Sequence, residues 1–355
     1  MALVADCGAP IELTFEQHGE FLTYTFALPG AERPFDPPAA DLARRLPDIG
    51  QTGRHVVSVD LCLIRPMGVD LASCFDMASL AASAMKQGAA VVATDFRADS
   101  SGFVRWLILN ESLDDNAAGA LAQRMLEVET YRTLALLGLP EAMRLGPPLA
   151  RIERELTEIS GRMSASEGYA QDTDHLQRLT RLAAELEADV ASSAWRFGAT
   201  RAYDEIVAQR LRAAGESTVG HLATLTSFLD RRSAPAMRTC RITEERQARL
   251  SEKLTRATNL LRTRVDVEIE AQNSRLLSAM NARASMQLRL QQTVEGLSVA
   301  AISYYVVSLL GYAFKAMKGA GLRIDPDIAM GLSAPFVLIA MWWLVRRIRA
   351  SHSEH

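Results

Sequence analysis

Apolar and polar residues follow a period of two in short runs over residues 1–145. Such runs, rich in Val, Ile, Phe, Tyr and Thr, are typical of strands with one buried face. Five strands are predicted, at residues 11–16, 21–28, 55–64, 89–96 and 103–109, and helical spacing predicts helices at 37–46, 71–85 and 116–137. Residues 1–145 are therefore predicted to form an α+β domain, which would be cytoplasmic in a chain anchored in the membrane with both termini in the cytoplasm.

The pattern becomes helical over residues 146–295. Paired prolines and glycines between residues 139 and 148 predict a break and a domain boundary there. Helices are then predicted at 149–163, 173–214, 217–230 and 243–295. The last segment has 53 residues without glycine or proline, and as one helix it would extend about 80 Å.

This last helix carries apolar residues at coiled-coil-like spacing, which predicts a coiled-coil stalk over residues 146–295. They are Leu250, Leu254, Ala257, Leu261, Val265, Ile269, Leu276, Met280, Leu290 and Val294. Gln272 and Gln287 interrupt the stripe. The favoured partner is the earlier long helix, through the apolar residues of its stretch 176–190, in an antiparallel pair within the chain. Self-association between chains is the alternative, and both can hold together.

Two uncharged segments, residues 296–314 and 328–345, lie near the end of the chain. Each has about the length that a helix needs to cross ~30 Å of hydrocarbon. Trp342 and Trp343 stand where an aromatic belt meets lipid headgroups, and three arginines follow in a basic tail, residues 346–355. The pattern predicts a transmembrane hairpin over 296–345. The alternative, a buried soluble hairpin, is disfavoured because such helices rarely lack charges for so long.

Basic residues predict the orientation of this hairpin. Residues 271–294 hold three arginines and no acid, and the tail adds three more, whereas the loop between the spans holds Lys315, Lys318 and Arg323. The excess places both termini in the cytoplasm. Residues 1–10 lack the basic start and long apolar stretch of a secretory signal, which agrees with that orientation.

Composition and motifs predict no catalytic, cofactor or metal site. The net charge is only −3, so no nucleic-acid-binding face is expected. The cysteines at 7, 62, 74 and 240 form no close pair, which indicates buried thiols rather than a zinc site or a disulfide framework. No glycine-rich phosphate loop follows a strand. An enzyme stays open only as a third class, since an α+β domain can hold a site without a linear signature.

Polar residues around the predicted spans are the candidate ion-pathway or hairpin-interface residues. They are Glu295, Ser298, Ser303, Tyr304, Tyr305, Asp325 and Asp327. In an oligomer the acids would form rings at both mouths of a pore. The favoured interpretation is that Asp325 and Asp327, on either side of Pro326, begin a helix. The hydroxyls of the first span are costly in lipid, which predicts that this span packs against protein.

Two further clusters have a functional and a structural interpretation. Glu16, His18 and Glu20 alternate along a predicted strand and its edge, as acid–base or ligand groups would. A solvated edge is the favoured interpretation. Trp195-Arg196-Phe197 and Arg231-Arg232 are typical of a partner or lipid-headgroup contact, but a packed aromatic and a solvated charge pair are favoured.

Four stretches carry a family resemblance. They are residues 263–273 (TRVDVEIEAQN), 287–305 (QLRLQQTVEGLSVAAISYY), 15–26 (FEQHGEFLTYTF) and 94–97 (TDFR). Together they resemble an uncharacterised bacterial family, domain of unknown function 3422, whose proteins are described as membrane-anchored. The resemblance spans most of the chain. It implies membrane attachment, and it implies no established activity and no catalytic residue. Together with the two predicted spans, it leads us to expect a multi-pass protein of the bacterial inner membrane.

The order of parts is also similar to that of CorA-type magnesium channels. Those channels place Gly-Met-Asn after the first span, whereas this chain has Gly311-Tyr312-Ala313 followed by Lys315 and Lys318. Lysines there would repel a divalent cation. The leading hypothesis is therefore a membrane-anchored, self-associating scaffold or regulatory protein. Its expected partners are the lipid bilayer, further copies of the chain and an unidentified protein, with no nucleic acid. The alternative is a CorA-like oligomeric ion channel or transporter lacking the motif.

Overall fold

The computed structural model describes residues 2–4, 10–28, 33–36, 38–43, 53–66, 68–163, 168–319 and 325–352. Its strands are β1 (Ala2–Val4), β2 (Pro10–Gln17), β3 (Leu22–Ala27), β4 (Ser58–Ile64), β5 (Ala81–Met85), β6 (Ala90–Ala98), β7 (Phe103–Asn110) and β8 (Ser217–Thr218). Its helices are α1 (Ala39–Ala43), α2 (Leu71–Cys74), α3 (Asp115–Leu136), α4 (Gly138–Met163), α5 (Tyr169–Ala214), α6 (Leu225–Arg232), α7 (Ala234–Gly319) and α8 (Pro326–His352). Contacts divide the chain into two compact units, Met1–Arg262 and Thr263–His355.

The first unit begins with a region of sheets and helices, as the strand patterns predict. A five-stranded sheet has the order β4-β7-β6-β5-β8. β4 and β7 are parallel, and the other neighbours are antiparallel. A separate antiparallel sheet has the order β1-β2-β3. Long helices follow, which agrees with the predicted change of pattern.

The five-stranded sheet has a hydrophobic core on each face. On one face, Trp106 and Ile108 of β7 pack with Met125 of α3 and with Leu211 of α5. On the other face, alternate strand residues such as Leu107 pack with the α2 segment. Residues of α5 and α6 thus complete the core of the α/β region, although they lie far beyond residue 145.

Two secondary-structure predictions are wrong near this sheet. Residues 81–85, predicted as the end of a helix at 71–85, form β5, and only Leu71–Cys74 is helical there. Four of the five β5 residues are buried. Ala and Met favour helices in isolation, but a strand covered on both faces shows no polar alternation and is fixed by its neighbours. Likewise, residues 217–230, predicted as helix, contain β8 and the start of α6.

The predicted break between residues 139 and 148 is also wrong, because Pro147 and Pro148 lie inside α4. Proline in a helix interior removes a backbone hydrogen bond and costs about 3 kcal/mol. Leu145, Leu149 and Ile152 on either side of the pair are fully buried, and each contributes about 1.5–3 kcal/mol by leaving water. Packing therefore maintains a helix that local preference would end.

Helices α4 and α5 form a second core with the first part of α7. Leu179 and Leu186 of α5 share this core with Leu250 and Leu261 of α7. Gln247 Nε2 donates to Ser193 Oγ at 3.2 Å, and Ser251 Oγ donates to a Glu187 carboxylate oxygen at 2.7 Å. Positions fall along α5 as they rise along α7, so the two helices run antiparallel. This is the intramolecular pairing that the apolar spacing favours. Pairing between chains stays a prediction.

Replacing Gly138 with alanine is expected to destabilise the first unit. A Cβ at Gly138 would collide with the Thr200 hydroxyl, which is buried and donates to the Ala135 carbonyl at 3.2 Å. We expect a loss of about 1–3 kcal/mol in the free energy of unfolding. Urea unfolding of the full chain, followed by tryptophan fluorescence, measures it. Gly161 of the same helix has open space around it, so Gly161→Ala is the matched control and should gain up to about 1 kcal/mol. Equal effects of the two variants would contradict this account.

Candidate functional site

Two helices, α7, which runs from the first unit into the second, and α8, are long and apolar enough to cross a membrane, judged by length and composition. In the most apolar stretch of each helix, 11% of α7 and none of α8 is buried within the protein. The core helix of a soluble protein would be mostly buried. The alternative of a buried soluble hairpin is therefore not supported by the described residues.

α7 and α8 approach each other at a glycine. A Cβ on Gly311 would lie 2.6 Å from Met330 Sδ, so a larger residue at this position would displace the Met330 side chain. Ser303 and Gly311 are buried, and Val307 and Phe314, at helical spacing from them, are half-buried. Small residues at such a face let two helices pack closely. The contact at Gly311 therefore marks the face of α7 that lies toward α8, and Ser303, Val307 and Phe314 fall on the same side by helical spacing.

The hydroxyl groups predicted in the first span are on different faces of α7. Ser303 is only 3% exposed, and its hydroxyl has no hydrogen-bond partner among the described residues. Tyr304 and Tyr305 are 70% and 68% exposed. Ser298 Oγ donates to the Val294 carbonyl at 2.9 Å, within the helix itself. Of the predicted hydroxyls, only Ser303 lies on the face toward α8.

A groove of about 420 Å³ lies along another face of α7. Its lining residues are Gln287, Leu290, Gln291, Val294, Glu295, Ser298, Val299 and Ile302. Two predicted residues, Glu295 and Ser298, meet there. Ser303, Tyr304 and Tyr305 do not line the groove. The amides, the carboxylate and the apolar walls give it both hydrogen-bonding and hydrophobic surface.

Asp325 and Asp327 stand at the beginning of α8. The Asp325 carboxylate accepts the Asp327 backbone N–H at 3.4 Å, and the Asp325 carbonyl accepts that of Ala329 at 3.1 Å. Asp327 lies in the first helical turn, where a negative charge is favoured by the helix dipole. The geometry agrees with the helix-start role, and ion binding by these acids stays a prediction.

A polar cluster in the first unit was missed by sequence reasoning. The turn between β2 and β3 places Glu20 against α5, where Arg196 Nη2 donates to its carboxylate at 2.9 Å. Trp195 Nε1 donates to the same carboxylate at 3.4 Å, and Tyr203 also hydrogen-bonds to it. The favoured interpretation of a solvated edge is therefore wrong for Glu20, whose side chain is 14% exposed. Nothing in the spacing of residues 20 and 196 predicts their pairing.

Charge and burial perturb both acids of this cluster. Burial alone would raise the pKa of Glu20, but the hydrogen bonds from Tyr203 and Arg196 and the Arg196 charge hold that pKa below its usual value. Burial, together with the neighbouring Glu20, raises the pKa of Tyr203 to about 12. Glu20 is thus charged and Tyr203 neutral at ordinary pH. Beside them, Phe21 packs edge-on against Tyr131 and Tyr203, so the turn is held by both charge and aromatic contact.

The stretch 94–97 forms an irregularity in the sheet. Register shifts between Thr94 and Ala98, and Phe96 has a left-handed backbone with φ of 54°. Thr94 Oγ1 donates to the Arg105 carbonyl at 2.7 Å and accepts the Phe96 N–H at 3.1 Å. The Phe96 ring stacks on Phe228 with centroids 4.8 Å apart. These contacts give the motif a structural role, since they offset the strain of the bulge.

No metal centre is evident among the described residues, which contain no group of three or more His, Cys, Asp or Glu side chains placed to hold an ion. Burial raises the pKa of the Cys62 and Cys240 thiols, so neither is activated as a nucleophile. Cys7 and Arg323 lie outside the described residues.

A family model described as "Protein of unknown function (DUF3422)" matches residues 3–352. The chain belongs to the DUF3422 family. The resemblance inferred from four stretches is thus confirmed over nearly the whole chain. No curated protein and no solved structure matches it, and the likeness to CorA-type channels gains no support from these comparisons.

The Glu20 cluster of this DUF3422 protein should make its N-terminal sheet sensitive to acid. A carboxyl with a lowered pKa stabilises the fold above the ordinary value near 4.5, and that contribution is lost as the pH falls through the lowered pKa. We expect Glu20→Gln to speed amide hydrogen exchange in β2 and β3 at pH 7 and to reduce the acid sensitivity of these strands. Hydrogen-exchange mass spectrometry measures both. Glu12→Gln, an exposed change on β2, is the control. If Glu20→Gln left amide hydrogen exchange in β2 and β3 unchanged, the Glu20 cluster would not be what holds the β2–β3 hairpin in place.

Proposed function

We propose that this DUF3422 protein is a membrane-anchored, self-associating scaffold or regulatory protein of the bacterial inner membrane. Residues 296–314 of α7 and 328–345 of α8 are its two transmembrane spans. The observation that carries the proposal is the exposure of apolar surface on these helices. Leu309, Phe336 and Ile339 are each more than 60% exposed, and hydrocarbon is the environment that covers such surface at this length.

The end of α8 supports the same placement. Trp342 and Trp343 are more than half exposed, and the Arg347 guanidinium lies 5.2 Å from the centre of the Trp343 ring. An aromatic belt followed by basic residues is typical of the cytoplasmic boundary of a span. Together with the acid-free stretch at residues 271–294, it favours a two-span topology with both termini in the cytoplasm.

Support for a scaffold comes from the part of α7 that precedes the first span. Leu276, Leu277 and Met280 are each about 60% exposed in the described structure, and Leu288 and Leu290 are at least as exposed. Soluble surfaces rarely leave so many large apolar side chains together in water, and such patches mark protein interaction sites. The proposed role is to hold a partner, including another copy of the chain, at the membrane.

Membrane integration can be tested by alkaline carbonate extraction of cell membranes. We expect the full chain to stay in the membrane fraction. Val306→Arg, Leu309→Arg, Phe336→Arg and Ile339→Arg combined should release it, because each arginine near the centre of a span costs about 3 kcal/mol. The matched control carries Val306→Leu, Phe336→Leu and Ile339→Leu and keeps Leu309. Extraction of the unaltered chain by carbonate would contradict the proposed anchoring.

The orientation predicts where a C-terminal tag lies. In spheroplasts, protease should reach the tag of the unaltered chain only after the membrane is permeabilised. Phe336→Arg with Ile339→Arg should prevent insertion of the second span alone, and the tag should then be digested from outside. Phe336→Leu with Ile339→Leu is the control. A tag on the unaltered chain that is digested in intact spheroplasts would exclude a cytoplasmic C-terminus.

A further inference from the structure

One face of α7 carries a continuous heptad seam from Leu277 to Tyr312. Its a positions are Leu277, Ala284, Gln291, Ser298, Tyr305 and Tyr312, and its d positions are Met280, Gln287, Val294, Ala301 and Ser308. Positions a and d of a seven-residue repeat share one side of a helix. Every seam residue is uncharged, whereas Arg283, Arg289 and Glu295 fall at flanking or opposite positions.

The seam faces away from α8. The α7 residues toward α8 are Ser303, Val307, Gly311 and Phe314, which occupy positions c, f and g of the same repeat. Most seam residues are open by contrast, since Met280, Tyr305 and Tyr312 are 58%, 68% and 72% exposed, whereas Ser308 is half-buried. Four members of the groove lining, Gln287, Gln291, Val294 and Ser298, belong to the seam. The other four lining residues lie beside the seam, so the groove borders this uncovered face.

The polar part of the seam lies at membrane depth if residues 296–314 span the bilayer. Tyr305 stands at the middle of that segment, with Ser298, Ser308 and Tyr312 on the same face. Ser298 donates within its own helix, but the tyrosine hydroxyls lie too far from the helix backbone to do so. A hydroxyl in hydrocarbon needs a hydrogen-bond partner, and lipid tails offer none. The partner must present polar groups at the same depth and small residues for close approach.

We infer that the seam of α7 is the self-association interface, and that its occupant is the same seam of another copy of this chain. Copies inserted with the same topology run parallel and place identical residues at identical depths. Tyr305, Tyr312 and the seam serines then meet their counterparts, and Ala284, Ala301 and Ser308 allow the backbones to approach. Gln287 and Gln291, just outside the span, fix the register, as buried amides do in parallel coiled coils. The inference rests on the proposed membrane anchoring and names the surface of the proposed self-association.

Photo-crosslinking in native membranes tests the interface. A benzophenone amino acid is placed in the full chain at Met280 or Tyr305 on the seam, or at Met286 or Val306 as controls at positions c and b. Met286 is 73% exposed, so it is as free to react as Met280. We expect crosslinked oligomers of the chain when the probe is at either seam position and no crosslinked oligomers when it is at either control position. Equal crosslinking at all four positions, or none from the seam, would overturn the inference.

Removing seam hydroxyls gives a second readout that does not depend on crosslinking. Tyr305→Phe with Tyr312→Phe should weaken association in detergent by about threefold per hydroxyl, measured by energy transfer between labelled copies. Tyr304→Phe changes an equally exposed neighbour at a flanking position and should have no effect. A chain that resists carbonate but stays monomeric would refute the interface and leave the anchoring intact, whereas release by carbonate would refute the anchoring itself.

Discussion

The apolar faces of α7 have to be covered along a helix of 86 residues, and much of the molecule can be understood from how this is done. In the first unit, Leu250, Leu254 and Leu261 are covered by α4 and α5. That packing is strong enough to keep Pro147 and Pro148 inside a helix. In the second unit, α8 covers the side that holds Gly311. The remaining side is proposed to be covered by the bilayer and by further copies of the chain.

The spacing of apolar residues along the sequence predicts the helical parts of this arrangement. The stripe on α7 and its antiparallel partner on α5 follow from apolar residues three and four apart, because helical geometry alone puts them on one face. Two apolar helices are predicted by the length and the lack of charge of residues 296–314 and 328–345. Strand β5 could not be found in this way, since Ala81–Met85 has helix-forming residues and two buried faces. Its conformation is decided by β6 and β8, which lie elsewhere in the sequence.

The candidate site was predicted less completely than the fold. Ser298, Ser303 and Tyr305 are polar residues at the predicted membrane depth, but the sequence alone does not tell which of them lies toward α8. That division depends on where Gly311 meets Met330. The stretches that carry the family resemblance also have different roles. Residues 15–26 and 94–97 hold the turn at Glu20 and the bulge at Phe96, whereas residues 287–305 carry both part of the uncovered side of α7 and the buried Ser303.

The contact between Glu20 and Arg196 has a consequence for the order of folding. Its two residues are 176 positions apart in the sequence, and contacts between distant residues form late because a long loop must close first. During synthesis the N-terminal hairpin leaves the ribosome well before α5 exists. The hairpin is therefore made well before it can reach its native position. Until then, Phe21 lacks the contacts with Tyr131 and Tyr203 that it has in the folded unit, and it is open to chaperones or to wrong partners.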